Sequence, residues 1–235
     1  MSAPSCRASD PARSPRPAPT PRVARPPSPR LIQQLTPARL LLGLAGALLF
    51  ALIEIGVLEL TYERLGVAHR YFFGLLALSL LGSMVHLPLF QLPPPPDASP
   101  PRPTLVAINV GGAIVPTALA LWVLVEQTDP LPCLVALVVV TAVTWSLAKP
   151  MKGVGIAMPM LAPPLAAAAS ALLLAPSAPA PAAYVSGTLG ALLGADVLNL
   201  SKIGALGAPT VSIGGAGTVD GVFLTGIVAV LLALA

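Results

Sequence analysis

Long apolar runs, one after another, exclude most soluble folds for this chain. The first is LLLGLAGALLFALIEIGVL at residues 40–58, and several of similar length follow before the end of the chain. About 20 predominantly apolar residues are enough to cross a hydrocarbon core roughly 30 Å thick. Charged residues make up only 9% of the sequence and hydrophobic ones 55%, whereas a soluble domain carries about 25% charge. The fold class this predicts is all-α, a polytopic transmembrane helix bundle. In lipid such a bundle is held by close helix–helix contacts, so the abundant Gly and Ala are expected to line them.

The runs predict seven spans, at about 38–58, 71–91, 104–125, 131–148, 154–175, 181–200 and 211–235. Residues 1–37 form a Pro/Arg-rich tail expected to be disordered, and 38–235 form the membrane domain. The connection PPPPDASPPRP at 93–103 reads as a stiff extended linker, because a proline run cannot be helical. The first apolar run begins too late, and is too long, for a cleaved leader, so it is expected to remain as a helix.

Orientation follows from Lys and Arg near the span ends. With the N-terminus inside, the cytoplasmic segments hold the seven tail arginines together with Arg102, Lys149, Lys152 and Lys202, while the outer segments hold Arg64 and Arg70. This predicts the N-terminus in and the C-terminus out. In the tail, Pro, Ser and Ala interleave the arginines without aromatics, so it reads as a solvated arm and not as a nucleic-acid binder. The expected partners are the lipid bilayer and a substrate the sequence does not identify. Cys6 and Cys133 are too far apart to pair, and no metal-ligand spacing or cofactor motif is present.

Two carboxylates interrupt the last predicted hairpin, Asp196 in span six and Asp220 in span seven. An Asp at the bilayer centre costs roughly 2.5–3.5 kcal/mol on insertion scales, so each points to a functional site. Under the predicted orientation both fall in the cytoplasmic third. His86, Asn109 and Asn199 fall at the same depth, with Asn199 three positions after Asp196. Gly214, Gly215 and Gly217 open span seven, and Gly153, Gly155, Pro159, Pro163 and Pro164 crowd the start of span five. Such segments are not expected to stay regular helices. Broken backbone at membrane depth needs a protein or wet-cavity covering, and in transporters it accompanies substrate sites. His86 reads as a packing or interfacial residue, Glu59 as interfacial, and Glu54 as either a buried polar partner or a helix-end residue. Lys149 and Lys152 read as headgroup contacts, and Lys202 is also placed to neutralise Asp196. One internal echo joins Val110-Gly111-Gly112-Ala113 to Ile213-Gly214-Gly215-Ala216.

Two adjacent carboxylates in a low-dielectric site share a proton, which suits acid–base hydrolysis or the uptake and release of a proton or cation. The hairpin resembles that of intramembrane aspartyl proteases (presenilin, signal peptide peptidase and the prepilin peptidases), whose second aspartate stands in a GxGD motif. The matching stretch here is Gly215-Ala216-Gly217-Thr218-Val219-Asp220, with two residues between the second glycine and the aspartate where those enzymes have none. Ala195 precedes Asp196 where the presenilin-type enzymes have Tyr, and no PAL motif follows span seven.

From about residue 70 onward the chain is also similar to an uncharacterised family of bacterial and archaeal multi-pass membrane proteins, domain of unknown function 1614. NVGGAIVP (109–116), KPMKGVGIAMP (149–159), GADVLNL (194–200) and GAPTVSIGGAGTVDGVFLTG (207–226) carry that resemblance. It implies a prokaryotic inner-membrane protein and assigns no activity. The expected site is therefore cytoplasm-facing, with Asp196 and Asp220 as candidate catalytic residues. His86, Asn109, Asn199, Gly214, Gly215 and Gly217 form its candidate lining. Hydrolysis is named first because the order of the hairpin matches the proteases; proton- or cation-coupled transport and a non-catalytic assembly role are the alternatives.

Overall fold

The computed structural model describes residues 37–93, 103–151, 155–200, 202, 209–215 and 221–234. The chain divides into two compact units, Met1–Leu49 and Phe50–Ala235. In the first unit the described residues are helical and belong to the start of α1 (Pro37–Arg64). The predicted tail, apart from Pro37, and most of the proline linker lie outside the described residues.

The second unit is mostly helical with a small sheet, so the all-helical expectation holds only in part. After α1 come α2 (His69–Gly82), β1 (His86–Leu92) and β2 (Thr104–Asn109). A π-helical turn, Val110–Ile114, leads into α3 (Val115–Glu126), which α4 (Pro130–Leu147) follows. A short β3–β4 hairpin (Lys149–Met151 and Gly155–Ala157) precedes α5 (Ala162–Leu174) and α6 (Pro179–Ala191). The chain from Leu192 to Asn199 winds first as a π-helix and then as a 3₁₀ turn, before β5 (Thr210–Ile213) and α7 (Gly221–Leu234).

The helical expectation over 38–58 falls wholly inside the 28-residue α1, and those over 131–148 and most of 181–200 are also met by long helices. Pro130–Leu147 and Pro179–Asn199 are long and apolar enough to cross a membrane. The stretches 71–91, 104–125, 154–175 and 211–235 each combine a helix with a strand. The reasons are local. Pro88 cannot donate to a helix and pushes Leu87 into extended backbone. The run TLVAIN is rich in residues that favour strands. Pro163 and Pro164 sit in the first turn of α5, where a missing N–H costs nothing. A glycine pair with positive φ, Gly214 at 76° and Gly215 at 64°, ends β5.

The helices pack around α6, whose residues Ala182–Leu192 are all buried. Its glycines form the contact surface. A Cβ on Gly190 would stand 2.7 Å from Val140 Cγ1, and one on Gly194 would stand 2.6 Å from the Thr141 carbonyl oxygen, so α4 lies directly against both. Gly190 and Gly194 are four apart, the small-xxx-small spacing that lets membrane helices approach closely. Gly187 meets Ala167 of α5 and Ala229 of α7 in the same way. On α4, Cys133, Ala136, Val140 and Thr144 turn inward, while Leu131, Leu134, Val135, Val138 and Val139 face out. A helix apolar on both faces suits lipid outside it.

The strands meet in one sheet, in the order β1–β2–β5. β1 pairs antiparallel with β2 and carries a bulge between Pro88 and Phe90, as edge strands holding a proline commonly do. β2 and β5 run parallel, with Ile108 opposite Ile213. A second small core of Val106, Ala113, Ala191, Leu192, Ile213 and Val222 seats these two strands on the end of α6. The two members of the sequence echo, Val110–Ala113 and Ile213–Ala216, therefore begin where neighbouring parallel strands end.

Candidate functional site

The glycine turns after β2 and β5 touch. A Cβ on Gly112 would collide with the Gly214 carbonyl oxygen, and one on Gly214 would stand 2.5 Å from the Ala113 Cβ. Gly111 is tighter still, since any side chain there would collide with the Ser79 carbonyl at the end of α2. These glycines therefore permit three backbone segments to cross at one place.

Asn109 holds that crossing together. It is fully buried. Its Oδ1 accepts from the Gly112 amide at 2.6 Å, which caps the π-helical turn. Its Nδ2 donates to the Ser83 carbonyl at 2.7 Å and lies 3.0 Å from His86 Nε2. Because the amide oxygen is taken by Gly112, the group facing His86 is the NH₂, and Nε2 must act as acceptor. His86 is thus the ring partner of Asn109 at the exposed start of β1. Among the described residues no group of three His, Cys, Asp or Glu is placed to hold a metal ion.

Asp196 reaches the same crossing from α6. It ends the π-helical segment Leu192–Asp196 and is half-buried. Its Oδ2 accepts from the Gly214 amide at 2.7 Å, across 18 residues of sequence. π-helical turns inside helices are frequent at functional positions. Here the turn also exposes backbone acceptors, and Asn199 answers them. The Asn199 Nδ2 donates to the Gly194 carbonyl at 2.8 Å and to the Ala195 carbonyl at 3.2 Å. Asn199 is therefore a backbone clamp, buried behind Asp196.

The Lys202 ammonium donates to Asn199 Oδ1 at 2.9 Å and stands 5.4 Å from the centre of the Trp145 ring. Glu59 accepts from His69 Nδ1 at 2.6 Å, and Glu54 is exposed on α1. Cys133 is buried and unpaired.

His86, Asn109, Gly214 and Asp196 are thus brought into one continuous set, with Gly215 in the turn and Asn199 directly behind. Gly217 and Asp220 lie outside the described residues, as does most of the stretch that carries the protease resemblance. Sequence reasoning missed Gly112, Ser83 and Trp145. The internal glycine echo was the available signal for Gly112, but nothing in the sequence pointed to the Ser83 carbonyl.

A family model described as protein of unknown function (DUF1614) matches residues 48–232. The chain belongs to this family. Every described residue of the set, from His86 to Gly215, falls inside the DUF1614 match. No curated protein matches the chain, and no solved structure does. For this DUF1614 member the geometry is therefore the guide to chemistry. It offers a carboxylate held against a backbone amide where two strand-to-helix breaks meet.

Proposed function

We propose that this protein is a multi-pass inner-membrane protein of about seven spans, N-terminus in and C-terminus out, that couples movement of a small solute to a proton or cation through Asp196 and Asp220. The observation that carries the reading is the Asp196–Gly214 bond at the start of a broken span. At about 1.5 Å per residue, α5 and α7 are about 20 Å long and fall short of a 30 Å core. Strands complete these spans, and irregular backbone at such depth belongs beside a covered or wet cavity. Discontinuous spans of this kind build the midplane sites of secondary transporters.

Aromatic–cation pairs support the placement of two span ends at membrane–water interfaces. Arg70 lies 4.8 Å from the Tyr71 ring centre at the start of α2, and Lys202 lies over Trp145 at the end of α4. Such pairs favour the two membrane–water interfaces. The test is reconstitution of the full chain in liposomes under an imposed pH gradient, with a panel of small solutes, beside Asp196→Asn and Asp220→Asn. Wild-type uptake that collapses in both variants is the expected result. Solute-independent behaviour identical in all three overturns the reading, and peptide cleavage lost in both variants would replace it with intramembrane hydrolysis.

A further inference from the structure

One face of α1 is packed near its end and open just before it. Glu54, Leu58 and Thr61 stand at positions i, i+4 and i+7, so they share that face. Thr61 is fully buried, and Leu58 packs against the main core that holds Tyr62 and Leu65. One turn earlier the face is uncovered, with Ala51 and Glu54 exposed. The opposite side of the helix is open too, since a Cβ on Gly56 would meet nothing within 4 Å.

Glu54 carries a carboxyl group too deep for that exposure. The polar rim where α1 meets α2 is marked by Glu59, which accepts from His69 Nδ1 at 2.6 Å, and by Arg70, which lies 4.8 Å from the Tyr71 ring centre. Glu54 precedes Glu59 by five positions, about 7.5 Å along the helix axis toward the bilayer interior. It lacks the long stem by which Lys and Arg reach back to water. Carboxyl groups inside a membrane are costly and pair with other polar groups. Among the described residues Glu54 has no hydrogen bond and no ion pair. The tail arginines cannot serve, because the proposed orientation puts them at the opposite membrane face. A second copy of the chain can. It inserts in the same direction and to the same depth, so a two-fold axis along the membrane normal sets the two Glu54 carboxyls face to face. Two carboxyl groups so placed hold one proton between them, and the protonated one donates to the other.

We propose that α1 is a homodimerisation helix: the Ala51–Glu54 faces of two copies meet in the membrane, and the two Glu54 carboxyls hydrogen-bond across the interface. The interface rests on the multi-pass membrane reading and is independent of coupled transport.

Single-molecule subunit counting of the labelled full chain in liposomes, at falling protein-to-lipid ratio, tests the interface. The wild type is expected to count as two at high density and to dissociate on dilution. Glu54→Leu is expected to dissociate at about tenfold higher density, the effect of one lost hydrogen bond between membrane helices. Glu54→Gln, whose amides can pair in the same way, is expected to follow the wild type. Oxidative cross-linking locates the face. In a Cys6→Ser background, Ala51→Cys is expected to link two copies, and Leu52→Cys, on the other side of α1, to stay unlinked. A wild type that counts as one at every density overturns the interface. So does Glu54→Leu as dimeric as wild type, Glu54→Gln as weak as Glu54→Leu, or linkage through Leu52→Cys in place of Ala51→Cys. All of these leave the multi-pass reading standing. A wild-type chain that alkaline carbonate strips from the liposomes overturns that reading and the interface together.

Discussion

Asp196 Oδ2 and the Gly214 amide are 2.7 Å apart, and their hydrogen bond ties the irregular end of α6 to the glycine turn that precedes α7. The same turn touches Gly112, so one carboxylate engages two broken segments at once. A structural anchor and a coupling group predict different responses to substitution at this position.

Asp196→Asn keeps an acceptor oxygen, whereas Asp196→Ala leaves the Gly214 N–H without this partner. An unsatisfied buried donor costs about 1–3 kcal/mol. The expected outcome is a lower unfolding temperature in detergent for Asp196→Ala than for Asp196→Asn. Solute coupling is expected to fail in both. An Asn variant that transports normally would reduce Asp196 to an anchor.

Gly214→Ala is expected to be more damaging than Gly66→Ala, although both glycines have positive φ, 76° and 80°. The left-handed backbone alone costs an L-residue about 1–2 kcal/mol. At Gly66 the added methyl meets only the end of the Gln127 side chain, which can swing away. At Gly214 it meets Ala113 Cβ and backbone of Gly112, which cannot. Denaturation of the two variants in the same detergent compares them directly.

Asn109→Asp retains the acceptor for Gly112 and loses the donor to Ser83 and His86, while Asn109→Ala loses all three bonds. Both variants are expected to be less stable than wild type, Asn109→Asp because its second carboxylate oxygen would face the Ser83 carbonyl in a fully buried place. His86→Ala is expected to cost less than either Asn109 change, because His86 is exposed and Asn109 is fully buried. Hydrogen exchange at the Gly112 amide should follow the loss of its acceptor, rising in Asn109→Ala and staying slow in His86→Ala.

Much of the site was legible in the sequence because polar residues in apolar runs are rare. His86, Asn109, Asp196 and Asn199 stood out on that ground alone. The two stretches of the glycine echo lie where the neighbouring parallel strands β2 and β5 end. What composition could not separate was strand from helix in short apolar runs such as TLVAIN and HLPLFQL, which carry no clear period of either kind. The sheet is decided by which segments lie side by side, information held in the packing of Val106 and Ile213 against Ala191 and Leu192. The contact of Lys202 with Asn199 was equally hidden, since it depends on how the backbone winds from Leu192 to Asn199.

Gly190 and Gly194 offer the sharpest test of the helix packing. Gly190 on α6 and Gly194 in the π-helical turn that follows it both face α4, but what an added methyl would strike differs. At Gly190 the nearest atoms are the Val140 side chain, at 2.7 and 2.9 Å, while at Gly194 the Thr141 carbonyl oxygen and Trp145 amide stand at 2.6 and 2.9 Å. A side chain gives way more readily than a backbone. Gly194→Ala is therefore expected to cost more than Gly190→Ala, within the roughly 1–3 kcal/mol typical of overpacking. Val140→Ala removes the Cγ1 that stands 2.7 Å away but keeps the Cβ at 2.9 Å, so it is expected to rescue Gly190→Ala in part and Gly194→Ala not at all. A double-mutant cycle read by thermal unfolding measures both couplings, and equal rescue of the two glycine variants would contradict the seating of α4 on α6 described above.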